Sequence, residues 1–435
     1  MPCKIMKNFI IILSILLSFE CFSQITNYNF STENRIYNEN IKTVRIHPEN
    51  WEIGQPVLNL YSDNRLLFSF DQIESQPEVY YYDIIHCDRN WNISNISPVD
   101  YKDVFHELEI TNWEDSYSTM VQYTHYKLYL PNEDINLKIS GNYVLVVYTL
   151  NENVKNIVCT QRFMVYEPLV DIIGDVSIAN VSDYKSYFQK VDFKINKKNY
   201  RIDDPFREVK VVVMQNFQWD NAVTDIQPTF IDNNFLTYQY DDKIIFNAAN
   251  EYRYFNFNNL EVFSENIENI EFKKPYYYID LVKDKNRMFD PYSSAEDING
   301  KYIIKTNRFG NRSKPEVEAE YAIVKFRLEM PNPLSAWTVY LYGNFAGNQL
   351  TENYKMKYNP ESRCYETLMF LKQGYYNYRY VAVKWKDGKN ISDHSFLEGS
   401  HKQTENDYYI FVYHKAVSDN YDKLIGYKVL NSVKK

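Results

Sequence analysis

The chain has 435 residues, 24% of them charged and 45% hydrophobic, ordinary globular values that exclude wholesale disorder and a polytopic membrane protein. Lys and Arg number 48 against 57 Asp and Glu, a net charge of −9, which argues against a nucleic-acid binder that must neutralise many phosphates. The length corresponds to roughly three domains, and 17% aromatic residues with only 11 glycines favour strands over long helices.

Residues 1–23 read as a secretory signal. Lys4 and Lys7 make a positive start, Phe9 to Phe19 form an apolar stretch too short to span a bilayer, and Cys21 and Ser23 are the small residues before Gln24. Cleavage after Ser23 makes Gln24 the mature N-terminus. Lipidation at Cys21 is the competing outcome, opposed by the charged Glu20 beside it. No later segment has the long uncharged apolar run of a membrane helix, so a soluble exported chain is expected. Cys87, Cys159 and Cys364 remain after cleavage, widely spaced and without Cys-x-x-Cys. That excludes a disulfide framework or zinc ribbon and favours buried free thiols, with a Cys87–Cys159 pair as the alternative.

Residues 24–168 alternate short Val/Ile/Tyr/Phe stretches with turn residues. Strands are expected near 41–46, 58–61, 66–70, 78–87, 122–130, 143–150 and 157–166, the count of an immunoglobulin-like sandwich. Ser62 to Arg65 reads as the turn of a hairpin between the second and third of these. Residues 169–315 repeat the pattern less cleanly, with strands near 190–195, 209–215, 235–240, 276–282 and 302–306, and 307–316 reads as a linker. Residues 316–435 are again strand-dense, near 322–328, 337–342, 354–358, 366–371, 376–385 and 408–413. The expected fold class is all-β, three tandem immunoglobulin-like or early-set sandwiches.

The chemistry-bearing motifs are sparse. Isolated glycines leave no phosphate-cradling loop, and neither His-Glu-x-x-His nor Gly-x-Ser-x-Gly occurs. His86-Cys87-Asp88 places a base, a thiol and a carboxylate in a row, but neighbours on a strand point to opposite faces, so a buried thiol beside turn-forming residues is the better reading. Asp284-Lys285-Asn286 and Glu296-Asp297-Ile298-Asn299-Gly300 resemble calcium-loop fragments without the full spacing, and read as solvated turns. In Tyr375-Tyr376-Asn377-Tyr378-Arg379-Tyr380 the alternation puts Tyr376, Tyr378 and Tyr380 on one face, so core packing is favoured over a sugar platform. Catalytic, cofactor and metal residues are therefore assigned to none.

Several less common strings occur in order along nearly all of the mature chain. They include His86-Cys87-Asp88 with Trp91, Tyr123-Thr124-His125-Tyr126, Leu130-Pro131-Asn132, Ser140-Gly141-Asn142-Tyr143, Met214-Gln215-Asn216 and Asn250-Glu251-Tyr252-Arg253. Further along stand Asp297-Ile298-Asn299-Gly300, Leu371-Lys372-Gln373-Gly374, Glu398-Gly399-Ser400-His401, Thr404-Glu405-Asn406 and Tyr421-Asp422-Lys423-Leu424. On these the sequence resembles the type IX secretion system plug protein family of Bacteroidetes. A departure stands at Ala248-Ala249, where the family pattern has glycine before Asn-Glu, which puts a positive-φ loop there in question. The resemblance implies a non-enzymatic periplasmic protein without cofactor that seats against the outer-membrane translocon barrel and closes it when no substrate passes. It assigns no particular loops to that contact.

Residues 339–345 with Met356 and Gly374-Tyr375-Tyr376 are also similar to the early-set sandwich of glycogen-binding modules. This implies, as an alternative, a carbohydrate-binding protein, although Trp337 and Trp385 lie in expected strands where packing is the favoured role. A dispersed hydrolase site drawing on Asp88, Glu251 and His401 is a third reading.

Overall fold

The computed structural model describes residues 30–433 except 74–75, 105, 153, 180–185, 199, 240–241 and 308–312. The signal segment, Cys21, the cleavage position and residues 308–312 of the 307–316 linker lie outside the described residues. Among the described residues six sheets, almost wholly antiparallel, pack in pairs into three sandwiches, each around its own apolar cluster. The all-β sandwich expectation holds.

In the first sandwich one sheet runs Arg35–Ile36, Val154–Tyr166, Gly141–Asn151, Tyr81–Cys87, Leu108–Glu109, with Val57–Asn59 pairing parallel to Met164–Tyr166. Its partner sheet is Ile41–Pro48, Leu66–Ile73, Tyr123–Leu130, Asn112–Asp115. The hairpin expected across Ser62–Arg65 does not form. Val57–Asn59 and Leu66–Ile73 belong to opposite sheets, so the polar stretch between them is a corner rather than a turn within one ladder. A strand pair needs continuous backbone partners, and here both strands find them in distant segments.

The second and third units do not follow the expected boundary near Pro315. Val209–Gln215 pairs along its whole length with Asp407–His414, which pairs with Lys423–Asn431. This sheet packs on one built from Asp171–Ile178, Phe188–Asn196, Phe235–Tyr238, Phe230–Ile231 and Ile245–Asn247. The middle sandwich is thus made of two stretches of chain separated by the whole third sandwich. The third runs from Arg253–Asn256 to Lys389–Asp393 and centres on the 13-residue strand Gly374–Lys386. Its other sheet is Ile267–Lys273, Tyr276–Leu281, Tyr321–Glu329, Cys364–Lys372 and Lys357–Asn359, with Asp284–Lys285 beside the third of these. Alternation explains the faces: Ala322, Val324, Phe326 and Leu328 enter the core, while Ile323, Lys325 and Arg327 point outward.

The chain leaves the middle sandwich through 248–253 and returns through 394–406, and the two crossings are zipped together. The Ala249 carbonyl accepts from His401 N at 2.9 Å and Thr404 Oγ1 at 2.9 Å, and Asn250 Nδ2 donates to Glu398 O at 2.8 Å. Ala249 adopts φ 52°. The left-handed loop therefore forms although alanine stands where glycine was expected, at a cost of about 1–2 kcal/mol.

Candidate functional site

The polar chemistry of this molecule is concentrated where the sandwiches meet. Between the first and third, Asp71 is fully buried. Its Oδ2 accepts from Lys372 Nζ at 2.6 Å and from Tyr321 OH at 2.6 Å, and its Oδ1 bonds His125 Nδ1 at 2.5 Å. Lys372 Nζ also donates to Glu316 O at 2.6 Å and lies 4.1 Å from the centre of the Tyr123 ring. Beside it the Glu320 carboxylate accepts from Met120 N, Val121 N and Tyr321 N, and Tyr123 OH donates to Ala319 O. The short helix Pro315–Glu318 sits here too, its Val317 carbonyl accepting from Tyr117 N at 2.8 Å. Burial works against ionisation of Asp71, but the charge of Lys372 and the hydrogen bonds from Lys372 and His125 outweigh it and hold Asp71 below its ordinary value. Burial pushes His125 down, so it stays neutral near pH 7.

The first and middle sandwiches meet through an apolar layer that includes Ile85, Cys87, Trp91, Val144, Met214, Phe411 and Leu424. The Arg162 guanidinium lies 4.3 Å from the Trp91 ring and 5.5 Å from Trp219, and Tyr413 OH donates to Asn142 Oδ1 at 2.8 Å. The backbone after Tyr166 is tied down, with Glu167 N donating to Leu424 O and Leu169 N to Ile425 O. The expected boundary at Pro168 is a packed crossing.

Where the chain leaves the third sandwich, a second charged knot ties the return crossing to it. Glu398 accepts from Arg253 Nε at 3.0 Å and from Arg287 Nε at 2.8 Å, while Arg253 Nη1 donates to Asp284 at 2.8 Å. Tyr378 and Tyr380 donate to the other Asp284 oxygen at 2.7 and 2.6 Å. Burial raises Glu398, but the two arginines overcome it and hold its carboxyl at about 2. Asp220 adds a further tie, accepting from Tyr342 OH at 2.9 Å and bonding His394 Nε2 at 2.8 Å.

The residues singled out in the sequence take up structural roles in these knots. His86 is held between Ser94 Oγ at 2.8 Å and Ser140 O at 3.2 Å, inside a ring of Tyr101, Tyr143 and Tyr421. Burial drives its pKa down to about 4. Cys87 points the other way, into the layer against the middle sandwich, and Asp88 Oδ1 accepts from Asn90 N and Asn92 N in a tight turn. That turn puts Trp91, 5% exposed, into the junction, so the Asp88–Trp91 segment presents no tryptophan to a partner. Cys87, Cys159 and Cys364 are all buried and free, so the Cys87–Cys159 pair does not form.

Asp284 is consumed by Arg253 and two tyrosines. Asp297 accepts from Tyr252 N and Asn299 N in the turn before Gly300. Among the described residues no group of three or more His, Cys, Asp and Glu side chains is arranged to hold a metal ion. Glu251, accepting from Tyr292 OH and Glu405 N, belongs with His401 to the middle–third junction, whereas Asp88 belongs to the first–middle one, so the dispersed triad is not brought together. Tyr376, Tyr378 and Tyr380 are core residues. Trp385 is 71% exposed, contrary to the packing expected of it. Trp337 precedes its strand and is covered by Phe396 and Lys384. Because Lys384 and Trp385 are neighbours on one strand, the two tryptophans lie on opposite sides and form no joint platform. A shallow cleft of about 480 Å³ is lined by Leu58–Leu60, Ser62–Arg65 and Pro131–Asn132, with no cluster of reactive groups. What sequence reasoning missed is Lys372, Tyr321, Glu398 and Arg253 as a set. Lys372, Glu398 and Arg253 stand in the ordered strings quoted above, but nothing local in those strings says that they are buried or which counter-charges they meet.

A family profile for the type 9 secretion system plug protein 1st domain matches residues 41–167. Among solved structures, a hypothetical protein from Parabacteroides merdae ATCC 43184 is 35% identical with a TM-score of 0.88, over 93% of this chain and 100% of that one. The C-terminal domain of the Streptococcus pyogenes antigen I/II-family protein AspA aligns over 90% of this chain and 99% of that one, at 9% identity and a TM-score of 0.17, too low to indicate a shared fold. No curated protein matches.

Three outcomes follow from the geometry. Lys372→Met strands the Asp71 carboxylate and costs about 3–5 kcal/mol in urea unfolding, while Asp71→Asn combined with Lys372→Met recovers much of that loss; equal losses in both would show that the charge is not what matters. Gly141 has φ +142°, and a Cβ there would stand 2.3 Å from His86 Nε2. Gly141→Ala is therefore expected to lower the melting temperature sharply, and His86→Ala in the same chain to relieve part of the effect. A neutral His86 in the fold binds a proton less readily than the unfolded histidine, so its stabilisation is complete above about pH 6.5 and lost as pH falls towards 4. Glu398, depressed from the ordinary value, adds its loss only below about pH 4.5. Unfolding midpoints measured from pH 7.5 to 3 should fall in these two stages, and His86→Phe should flatten the first.

Proposed function

The chain belongs to the type 9 secretion system plug protein family, and from that premise we propose that it is a non-enzymatic periplasmic plug. In this reading it seats against the periplasmic opening of the outer-membrane translocon barrel and closes it while no substrate is in transit. Family membership itself carries the coarser statement, a role in type 9 secretion, at the cell envelope and in contact with its machinery. No helix among the described residues is long and apolar enough to cross a membrane.

The observation that supports the finer reading is the Asp71–Lys372 knot with its counterparts at the other junctions. A body that closes a wide aqueous pore must resist deformation, and that demand calls for no reactive pocket. Tandem domains joined by small polar interfaces are free to move by default. Here the junctions are buried and hydrogen-bonded, the backbone on either side of Pro168 is tied to Leu424 and Ile425, and the helical turn that starts at Pro315 is held by Tyr117. Pulling the sandwiches apart would strand buried charges at a cost of several kcal/mol each. Three sandwiches therefore act as one stiff body, and the strings on which the family resemblance rests are mostly the residues that lock it.

The test is recovery of tagged protein from detergent-solubilised outer membranes of its host, with mass spectrometry of the co-purifying chains. Recovery of a very large β-barrel protein, reduced when a secretion substrate is jammed in it, is the expected result. Absence of any such barrel under conditions that preserve it would overturn the plug reading.

A further inference from the structure

Of the outward sheet faces, those of Tyr81–Cys87 with Gly141–Asn151 and of Val209–Gln215 with Asp407–His414 cover each other. The outer face of Thr338–Tyr342 and the facing part of Gly374–Lys386 is buried in part under Asp220. On the third sandwich the sheet containing Tyr321–Glu329 is covered at one end only. Tyr321 and Lys372 project outward there and are capped by Asp71, Val121 and Tyr123 of the first sandwich. One step further along the same strands the cover stops, while the apolar surface continues.

Across that sheet Tyr278, Ile323 and Phe370 stand side by side in register, with Tyr276 against the Phe370 ring at 5.8 Å and Leu368 60% exposed next in line. Phe370 itself stacks at 5.0 Å on the buried Tyr321, so the stripe is an extension of the junction. On the other side of the seam Met120, adjoining the buried Val121, is 43% exposed and Tyr117 66%. The charges around the stripe are matched internally: Lys325 with Glu366, Arg327 with Glu268, Lys273 with Glu271. An apolar centre with a neutralised polar rim is the anatomy of a protein-binding surface, and it offers no net field to a nucleic acid or an anionic lipid.

We propose that this face, the Tyr278–Ile323–Phe370–Leu368 stripe with Tyr117 and Met120 across the seam, is where the body seats on the translocon barrel; the proposal rests on the plug reading above. The occupant is a protein rim much larger than this chain, and two features support that choice over a second copy. Three strands by about five residues give a partly exposed patch of roughly 240 Å², well short of the about 800 Å² per partner that a stable dimer buries. A modest, reversible contact suits a plug that must leave whenever substrate arrives. The footprint also spans two sandwiches, so it exists only while the Asp71–Lys372 knot holds them in register, which gives the stiffness of the body a purpose.

The experiment compares full-length tagged wild type, Leu368→Glu, Tyr117→Asp and the control Ile173→Glu, whose residue is 59% exposed on the middle sandwich, for barrel recovery from solubilised outer membranes. Matched melting curves establish that each variant is folded. Leu368→Glu and Tyr117→Asp are expected to cut recovery at least about tenfold, with Ile173→Glu unchanged. Wild-type recovery of the barrel with undiminished recovery by Leu368→Glu would overturn the seating face and leave the plug reading intact. Failure of wild type to recover the barrel would remove the plug reading and this face with it. Sedimentation showing a wild-type dimer that Leu368→Glu dissolves, with barrel recovery unaltered, would reassign the face to self-association and overturn the proposal.

Discussion

A carboxylate with no access to water organises this molecule. Asp71 sits on a strand of the first sandwich, and the lysine that neutralises it and a tyrosine that bonds it come from the third, hundreds of residues later in the chain. A charge in such a place is tolerated only with an opposite charge and a full set of hydrogen bonds, and it penalises any arrangement that removes one of them. An apolar patch would hold two sandwiches together in several registers. Asp71, Lys372 and Tyr321 admit one. Glu398 does the same between the two crossings of the chain, where Arg253 and Arg287 converge on it.

This use of polar groups explains the composition. Tyrosine brings a large apolar ring and a hydroxyl that can reach one defined partner. Tyr321, Tyr378, Tyr380 and Tyr413 are each buried, and each spends its hydroxyl on an Asp or Asn elsewhere in the body. A chain with 41 tyrosines and 11 glycines can bury wide apolar interfaces and still give many of their polar groups a defined partner. The histidines follow the same economy: His86 and His125 are packed as neutral rings bonded to fixed acceptors, a structural service that a reactive histidine could not combine with access to substrate.

Much of the third sandwich was visible locally. The alternation in Tyr376, Tyr378 and Tyr380 predicts a core face, and they are core residues. The opposite orientation of His86 and Cys87 follows from strand geometry alone, and the two residues do face different layers. The misreadings share one cause. Ser62–Arg65 looks like a hairpin turn because turn residues mark a change of direction but say nothing about which sheet the next strand joins. Pro315 looks like a linker because Pro and charge interrupt apolar periodicity, and the helical turn it starts is buried only by virtue of a neighbour from another sandwich. Lys372 looks like an ordinary strand-end lysine until Asp71 is placed beside it.

The amino-acid sequence by itself determined that this is an all-β chain, which stretches are strands, which side chains alternate inward, and to which family the ordered strings point. These are properties of period-two patterning and local backbone preference, and they act over a few residues. The tertiary structure alone decided that the third sandwich is inserted in the middle one, that the scattered charged residues meet as three locks, and that one apolar sheet face is left partly exposed. Strand pairing and the burial of a charge depend on partners far away in the chain, and no local pattern encodes which of many compatible strands or counter-charges will be chosen.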